Sequence, residues 1–456
     1  MKLKFITGLF ALSLATSAFA DVTIDITGAT AFRAATLLAI KAKFDASGVA
    51  YQYSHDQAAG GFSGATRSLW KGTFPGVAGT TTIRTSFNGS VEGIRALVDS
   101  PASDPTYYTD IAGNLVTAAA IGGGETNKDT PGFAKTTAAA QSEIAFSDVS
   151  KAVTPYASLP LQPSSAAVGV VVFTMLTNEG SAITNVTAQQ FRALASQGFQ
   201  PLSMFTGNAS DTTNVFLTGR NDGSGTRTTY MAETGVGVTT AIKQYVTIRS
   251  SSTALQAIQE VPVGGVNSPL TGDLADYHNN TGAYTGLGGN ITQLADNAST
   301  VWGQNVAGNG GYSSGSTLRT DMGKTGTSGV YVFDATGADA FGESVRADLV
   351  TWLSLNDAVT ARGNGAIFCS YNGVKLNDIA VSGSTMSAAD KAKVTEGVYT
   401  AWGFQQMYRR NDITSGDAVT VYDGIKAAIP ANLGAAGIAL GDMHVGRPGD
   451  GGTVAP

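Results

Sequence analysis

The chain has 456 residues, 43% hydrophobic and only 14% charged, with 28 Lys and Arg against 34 Asp and Glu and a net charge of −6. The excess of acid argues against nucleic acid or an anionic membrane as partner, and the hydrophobic content argues against disorder. A single cysteine, Cys369, excludes an intramolecular disulfide, so burial alone must hold a chain long enough for two domains.

Lys2 and Lys4 precede an apolar run from Phe5 to Ala15, and Ala18-Phe19-Ala20 forms a small-x-small signal before Asp21. Residues 1–20 therefore read as a secretory signal peptide cleaved after Ala20, placing the protein in the periplasm or outside the cell. Removing it leaves 26 basic against 34 acidic residues, a charge of −8. No later run approaches the ~20 apolar residues of a membrane helix. Asp21, not a cysteine, follows the cut, so lipid anchoring there is not expected.

Val22 to Ile26 alternates as a strand does, and Thr27-Gly28-Ala29-Thr30 turns into a helix through Phe32, Leu37, Leu38, Ile40 and Phe44. Thr81 to Phe87 predicts a strand, Gly89-Ser90 a turn and Val91 to Val98 a helix. Ile144 to Phe146 is a short buried strand ending at Ser147-Asp148. Val168 to Met175 is apolar enough for a central strand, and Thr187 is the expected cap of a helix to Ser196. Asn214 to Leu217 is a further strand. Strand, Gly-Thr/Ser turn, helix recurs, which is the grammar of an α/β fold with ligands at the carboxyl ends of strands. The stretches 99–140 and 263–324, rich in Gly and small polar residues, read as loop-bearing insertions. Gly makes up 57 residues, well above the usual ~7%. Ala340 to Leu355 and Ser387 to Met407 are expected to be helical, with Tyr399, Trp402, Phe404 and Tyr408 in the core.

Residues 218–230, Thr-Gly-Arg-Asn-Asp-Gly-Ser-Gly-Thr-Arg-Thr-Thr-Tyr, follow the last of these strands. They combine one fixed cation (Arg220), one carboxylate (Asp222) and two hydroxyls (Ser224, Thr226). Gly223 and Gly225 let successive N–H groups converge, and Thr226 to Glu233 can run as a helix with its N-terminus at that point. Such an arrangement binds a small tetrahedral oxyanion. Read alone, the segment also fits a surface turn before a helix.

Four segments in order, Gly28-Ala29-Thr30-Ala31-Phe32, Gly89-Ser90-Val91-Glu92-Gly93, Ser147-Asp148 and Arg220-Asn221-Asp222-Gly223-Ser224-Gly225-Thr226, make the chain resemble the PstS family, the periplasmic phosphate-binding proteins of ABC uptake systems. Leu176-Thr177-Asn178 and Gly397 to Gly403 add to the resemblance, which covers roughly 21–50, 81–98, 143–235 and 393–412. It implies a two-lobe α/β periplasmic binding protein of type II, each lobe a mixed sheet flanked by helices, with ligand in the inter-lobe cleft. The implied boundaries are lobe one at 21–165, lobe two at 166–330, and a return to lobe one at 331–456. The implied ligand residues are Thr30, Phe32 through its N–H, Ser90, Asp148, Arg220, Ser224, Gly225 and Thr226, with Asp222 holding the Arg220 guanidinium. Asp148 is the implied selective element. A carboxylate only accepts, so it favours an oxyanion that still carries a proton, as hydrogen phosphate does, over sulfate. On sequence alone Asp148 also fits a helix cap or a structural ion pair.

Two departures stand out. Ala31 separates Thr30 from Phe32, where the family has them adjacent. Glu92 occupies a position where the family prefers a small residue, facing solvent or pairing with Arg33 or Arg95. Elsewhere, His55, His278 and His444 have no ligand-spaced neighbours, so neither metal nor a histidine triad is expected. Gly223-Ser224-Gly225 lacks the spacing of a nucleophile elbow, and no nucleotide phosphate loop is present. Cys369 is expected to be a buried, inert thiol. The expectation is thus a non-enzymatic, cofactor-free, monomeric binding protein for inorganic phosphate or a similar oxyanion, serving an ABC permease in the inner membrane. The alternative is a surface or extracellular-matrix protein that keeps the scaffold without a transport role.

Overall fold

The structure, a computed structural model, describes residues 21–56, 61–98, 105–109, 116–117, 137–163, 166–261, 311–312, 314–335, 340–341, 345–376, 386–433 and 437–456. The expected signal peptide, His278 and most of the two stretches read as insertions lie outside the described residues.

The first half is built on β1 (Val22–Gly28), followed by α1 (Arg33–Ala46). Leu37, Ile40 and Phe44 of α1 are fully buried, the face that spacings of three and four bring together. Next come β2 (Thr81–Ser86), α2 (Ser90–Val98) and β3 (Ile144–Ser147). β2 and β3 both pair parallel with β1. Parallel pairing sends three chain segments off the same edge of the sheet, and each leaves toward Thr30, Ser90 or Asp148.

The link to the second half is β4 (Ala167–Thr177), whose side chains are buried along nearly its whole length. That double-sided burial is why its apolar run is continuous and not alternating. The second half adds α3 (Ala188–Gln197), β5 (Asn214–Leu217), α4 (Gly225–Glu233), α5 (Gly315–Met322), β6 (Ala347–Ser354) and α6 (Leu355–Gly363). Thr187 caps α3 in a full capping box with Gln190, as its sequence predicts. β6 lies between β4, antiparallel, and β5, parallel. The chain then returns through β7 (Trp402–Arg409), which pairs antiparallel with β3 and with the first part of β4.

The fold is α/β, and among the described residues it has a 13-stranded mixed sheet with flanking helices, three small sheets, and two large apolar cores beside two small clusters. One core gathers Ile26, Leu37, Phe44, Trp70 and Phe146, and the other Phe173, Phe191, Phe216, Leu349 and Trp352. β4 takes part in both halves: Val170–Val172 pair with β7, and Phe173–Thr177 pair with β6.

Two helix expectations are corrected. Residues 347–354 form β6, where Val350, Thr351, Trp352 and Leu353 are buried on both faces. β-branched and aromatic residues between two strands take the extended form whatever their period suggests. Of 387–407, only Ala388–Thr395 is helical. The chain turns at Gly397, with φ +77°, and becomes β7. Tyr399, Trp402 and Tyr408 are buried as expected, whereas Phe404 is half-buried. Residues 347–371, read from sequence as part of the return to lobe one, pair with β4, β5 and Asn185–Val186.

Candidate functional site

The four segments singled out in the sequence meet in space. Thr30 follows β1, and its hydroxyl accepts a hydrogen bond from Arg220 Nη1 at 3.1 Å. Arg220 follows β5, so this bond joins the two halves of the molecule. The arginine is 1% exposed, and its Nε donates to the Tyr312 carbonyl at 2.9 Å. Tyr312 is held in turn, its N–H donating to Gly219 O at 3.1 Å and its hydroxyl to Asp321 Oδ2 at 2.8 Å. A guanidinium gripped at Nε keeps one face of its planar fork in a fixed direction.

Ser90 opens α2 and is fully buried, its Oγ accepting from the Asp148 N–H at 3.0 Å. Asp148 is 2% exposed, and its Oδ1 has no hydrogen-bond partner among the described residues. Burial pushes its carboxyl up to about 7, while the Arg220 charge and the Ser90 hydroxyl pull the other way. Arg220 is held below its usual range by burial, to about 10, with Asp357 and Asp148 opposing that shift.

The Gly223–Thr226 turn lies against this group. The Gly223 carbonyl accepts from the Val91 N–H at 3.1 Å, so the first turn of α2 in one half caps the loop of the other. Ser224 is the N-cap of α4 and accepts from the Arg227 N–H at 3.4 Å. Gly225 sits so close to Ser90 Oγ and Asp148 Cβ that a side chain there would collide with both. Gly89, with φ +134°, similarly faces the Gly223 carbonyl, which leaves no room for a Cβ. Thr226 and Asp222 are buried in the same turn, and Phe32 is buried where α1 begins, its carbonyl accepting from Thr36. Thr30, Ser90, Asp148, Arg220, Ser224, Gly225 and Thr226 thus converge, and two helix N-termini, those of α2 and α4, point into the same region.

Glu92 does not face this region as a free carboxylate. Its Oε2 accepts from Arg95 Nε at 2.8 Å, and its stem packs over Gly223. Cys369 is buried, its thiol pushed up to about 11 mainly by burial. No group of three metal-ligating side chains occurs among the described residues. No helix among them is long and apolar enough to cross a membrane.

Three neighbours of the site went unread in the sequence. Tyr312 and α5 fall in a stretch read as loop, because Gly-rich composition hid an eight-residue helix capped by Ser314. Asp357, buried at the start of α6, accepts from Arg319 Nη1 at 2.8 Å and raises the affinity of Arg220 for its proton. Arg33, the first residue of α1, is also buried. Position just after the Thr30 turn was the one available signal for it.

No family model matches the chain, and no curated protein matches it either. Solved structures do resemble it. An ABC-type phosphate transport receptor from Vibrio cholerae aligns with 10% identity and a TM-score of 0.38, over 89% of this chain and 93% of its own. A putative phosphate ABC transporter substrate-binding protein with bound phosphate from Clostridium perfringens aligns with 10% identity and a TM-score of 0.37, over 92% and 99%. A phosphate-binding protein from Stenotrophomonas maltophilia aligns with 12% identity and a TM-score of 0.34, over 92% and 91%.

Proposed function

We propose that the protein is an exported two-lobe solute-binding protein that takes a protonated tetrahedral oxyanion, inorganic phosphate above all, and delivers it to an ABC permease in the inner membrane. Lobe one comprises 21–165 and the return through β7, and lobe two the chain between them. The ligand residues are Thr30, Phe32, Ser90, Asp148, Arg220, Ser224, Gly225 and Thr226, with Asp222 in support.

The observation that carries the reading is the pairing of a buried carboxylate oxygen, Asp148 Oδ1, without a hydrogen-bond partner, with the buried Arg220 guanidinium across from it. Arg220 and the positive ends of the two helix dipoles favour negative charge, although the Val91 and Glu92 N–H groups of α2 are already donated to the Gly223 carbonyl. Above about pH 7, where Asp148 is ionised and can only accept, it tolerates that charge only when the anion brings a proton to donate, as hydrogen phosphate does. Sulfate would set charge against charge in a dry site. A ligand touching Thr30 and Ser90 on one face and Arg220 to Thr226 on the other favours closure by differential affinity for the closed form.

Calorimetric titration of the mature protein with phosphate and then sulfate tests this. Phosphate is expected to bind and sulfate not, with Arg220→Ala abolishing phosphate binding and Asp148→Asn admitting sulfate. Folded, ligand-free protein that gives no heat with either anion would refute the reading and move the assignment to a scaffold role without transport.

A further inference from the structure

Arg33 breaks two local rules at once. It is the first residue of α1, where the helix dipole disfavours a cation, and no acidic residue stands in that first turn to offset it. It is also 6% exposed, and its guanidinium makes no hydrogen bond or ion pair with any described residue. A guanidinium can bring five donors into hydrogen bonds, and burying it without them is costly.

Its charged surroundings offset it only in part. Asp357 attracts Arg33 and Arg220 alike, yet its Oδ1 already accepts from Arg319 at 2.8 Å and its Oδ2 from the Ser354 hydroxyl at 3.3 Å. Asp56 also attracts Arg33, but its two oxygens accept the Thr66 and Arg67 N–H groups at 2.9 Å. Arg319 repels Arg33, and Arg33 repels Arg220. Three buried or half-buried guanidiniums therefore share one carboxylate, each of whose oxygens already accepts a hydrogen bond. Arg33 belongs to the first half of the molecule, and Arg220, Arg319 and Asp357 to the second.

Resting on the oxyanion reading above, we propose that Arg33 is a second cationic ligand-affinity residue of the inter-lobe site, whose charge, only partly offset by Asp357 and Asp56, is compensated by a dianionic tetrahedral oxyanion. The arginine sits three residues after Thr30, whose hydroxyl Arg220 holds, so both cations act on one anion from opposite lobes. A doubly charged anion neutralises more of this excess than a singly charged one, so the dianion is the preferred form.

The test uses inorganic phosphate and the mature protein with Arg33→Met, Arg33→Lys and Arg220→Ala, followed by calorimetry and by thermal unfolding with and without phosphate. Arg33→Met is expected to weaken phosphate binding about tenfold to a hundredfold, the size of a lost charge-assisted contact. Arg33→Lys should recover part of that loss. Without ligand, Arg33→Met should melt no lower than the wild type, because it removes a buried charge that is only partly offset, while its phosphate-induced rise in Tm shrinks. Wild-type affinity in Arg33→Met, beside an Arg220→Ala variant that no longer binds, would overturn this inference and leave the site reading standing. A lower ligand-free Tm with unchanged affinity would assign Arg33 a structural role and overturn it as well. Wild-type protein that binds no anion would sink both readings together.

Discussion

Asp148 carries a consequence that needs no ligand to observe. Burial pushes its carboxyl up to about 7, helped by the charges of Asp450 and Asp357 and opposed by Arg220 and Ser90. Its value in the unfolded chain is the ordinary one near 4. Between those values the folded protein holds a proton that the unfolded chain has released, so stability falls as pH rises through that window. The contribution is complete below about pH 4 and gone above about 7, on the order of a few kcal/mol for so large a shift. Glu143 adds a slope of the same sign, since burial also raises it to about 7. Urea unfolding of ligand-free protein from pH 4.5 to 8 should therefore show a falling midpoint, and Asp148→Asn should flatten part of that fall while Glu143→Gln flattens another part. A slope unchanged in Asp148→Asn would mean that the carboxylate is ionised throughout, compensated by Arg220.

At the scale of elements, the site is made by helix starts pressed on one another, and glycine makes that approach possible. Gly225 opens α4 directly against Ser90 Oγ and Asp148 Cβ. Gly225→Ala is expected to drive the two helix starts apart and weaken phosphate binding by at least tenfold, measured by calorimetry. Thr187→Ala offers the contrast, since it removes a capping box on α3 in the second half. That change should cost about 1 kcal/mol of stability and leave affinity alone. Equal affinity in the two variants would separate the α4 start from the site. The same comparison shows which parts of the molecule were readable in the chain. Alternating or continuous apolar runs bounded by Gly-Thr or Gly-Ser turns gave β1 to β5 and the helices that follow them, because there local pattern and tertiary burial agree. β6 and β7 were misread, since Val350-Thr351-Trp352 and Trp402 to Tyr408 owe their extended form to partner strands far away in sequence. Arg220 could be read from its own segment, whereas Thr30, Ser90 and Asp148 were legible only through the order of segments that the chain shares with the family it resembles. Asp357 and Tyr312 could not be read, because nothing local marks a residue that matters only once the two halves meet, and Arg33 had only its place after the Thr30 turn to mark it.

For the whole molecule, the central fact is that one sheet runs through both halves. β4 pairs with β7 along its first part and with β6 along its second, so neither half can unfold without stripping an edge from the other. The C-terminal segment adds a second tie. Arg447, its side chain 1% exposed, donates to Glu233 Oε2 at 2.9 Å and to the Thr400 carbonyl at 2.7 Å, and lies 4.1 Å from the Trp402 ring centroid. Glu233 ends α4 in the second half, and Trp402 begins β7, the return strand. Unfolding should therefore be a single transition, with circular dichroism and tryptophan fluorescence giving coincident curves. Glu233→Gln strands a buried guanidinium and should lower that one transition by about 3–5 kcal/mol. Glu233→Gln combined with Arg447→Met should recover much of the loss, because removing both charges leaves none uncompensated. Two separated transitions in the wild type would show that the halves unfold independently in spite of the shared strand. A double variant no more stable than Glu233→Gln would show that Arg447 holds the return strand through Trp402 and Thr400, and that its pairing with Glu233 adds little.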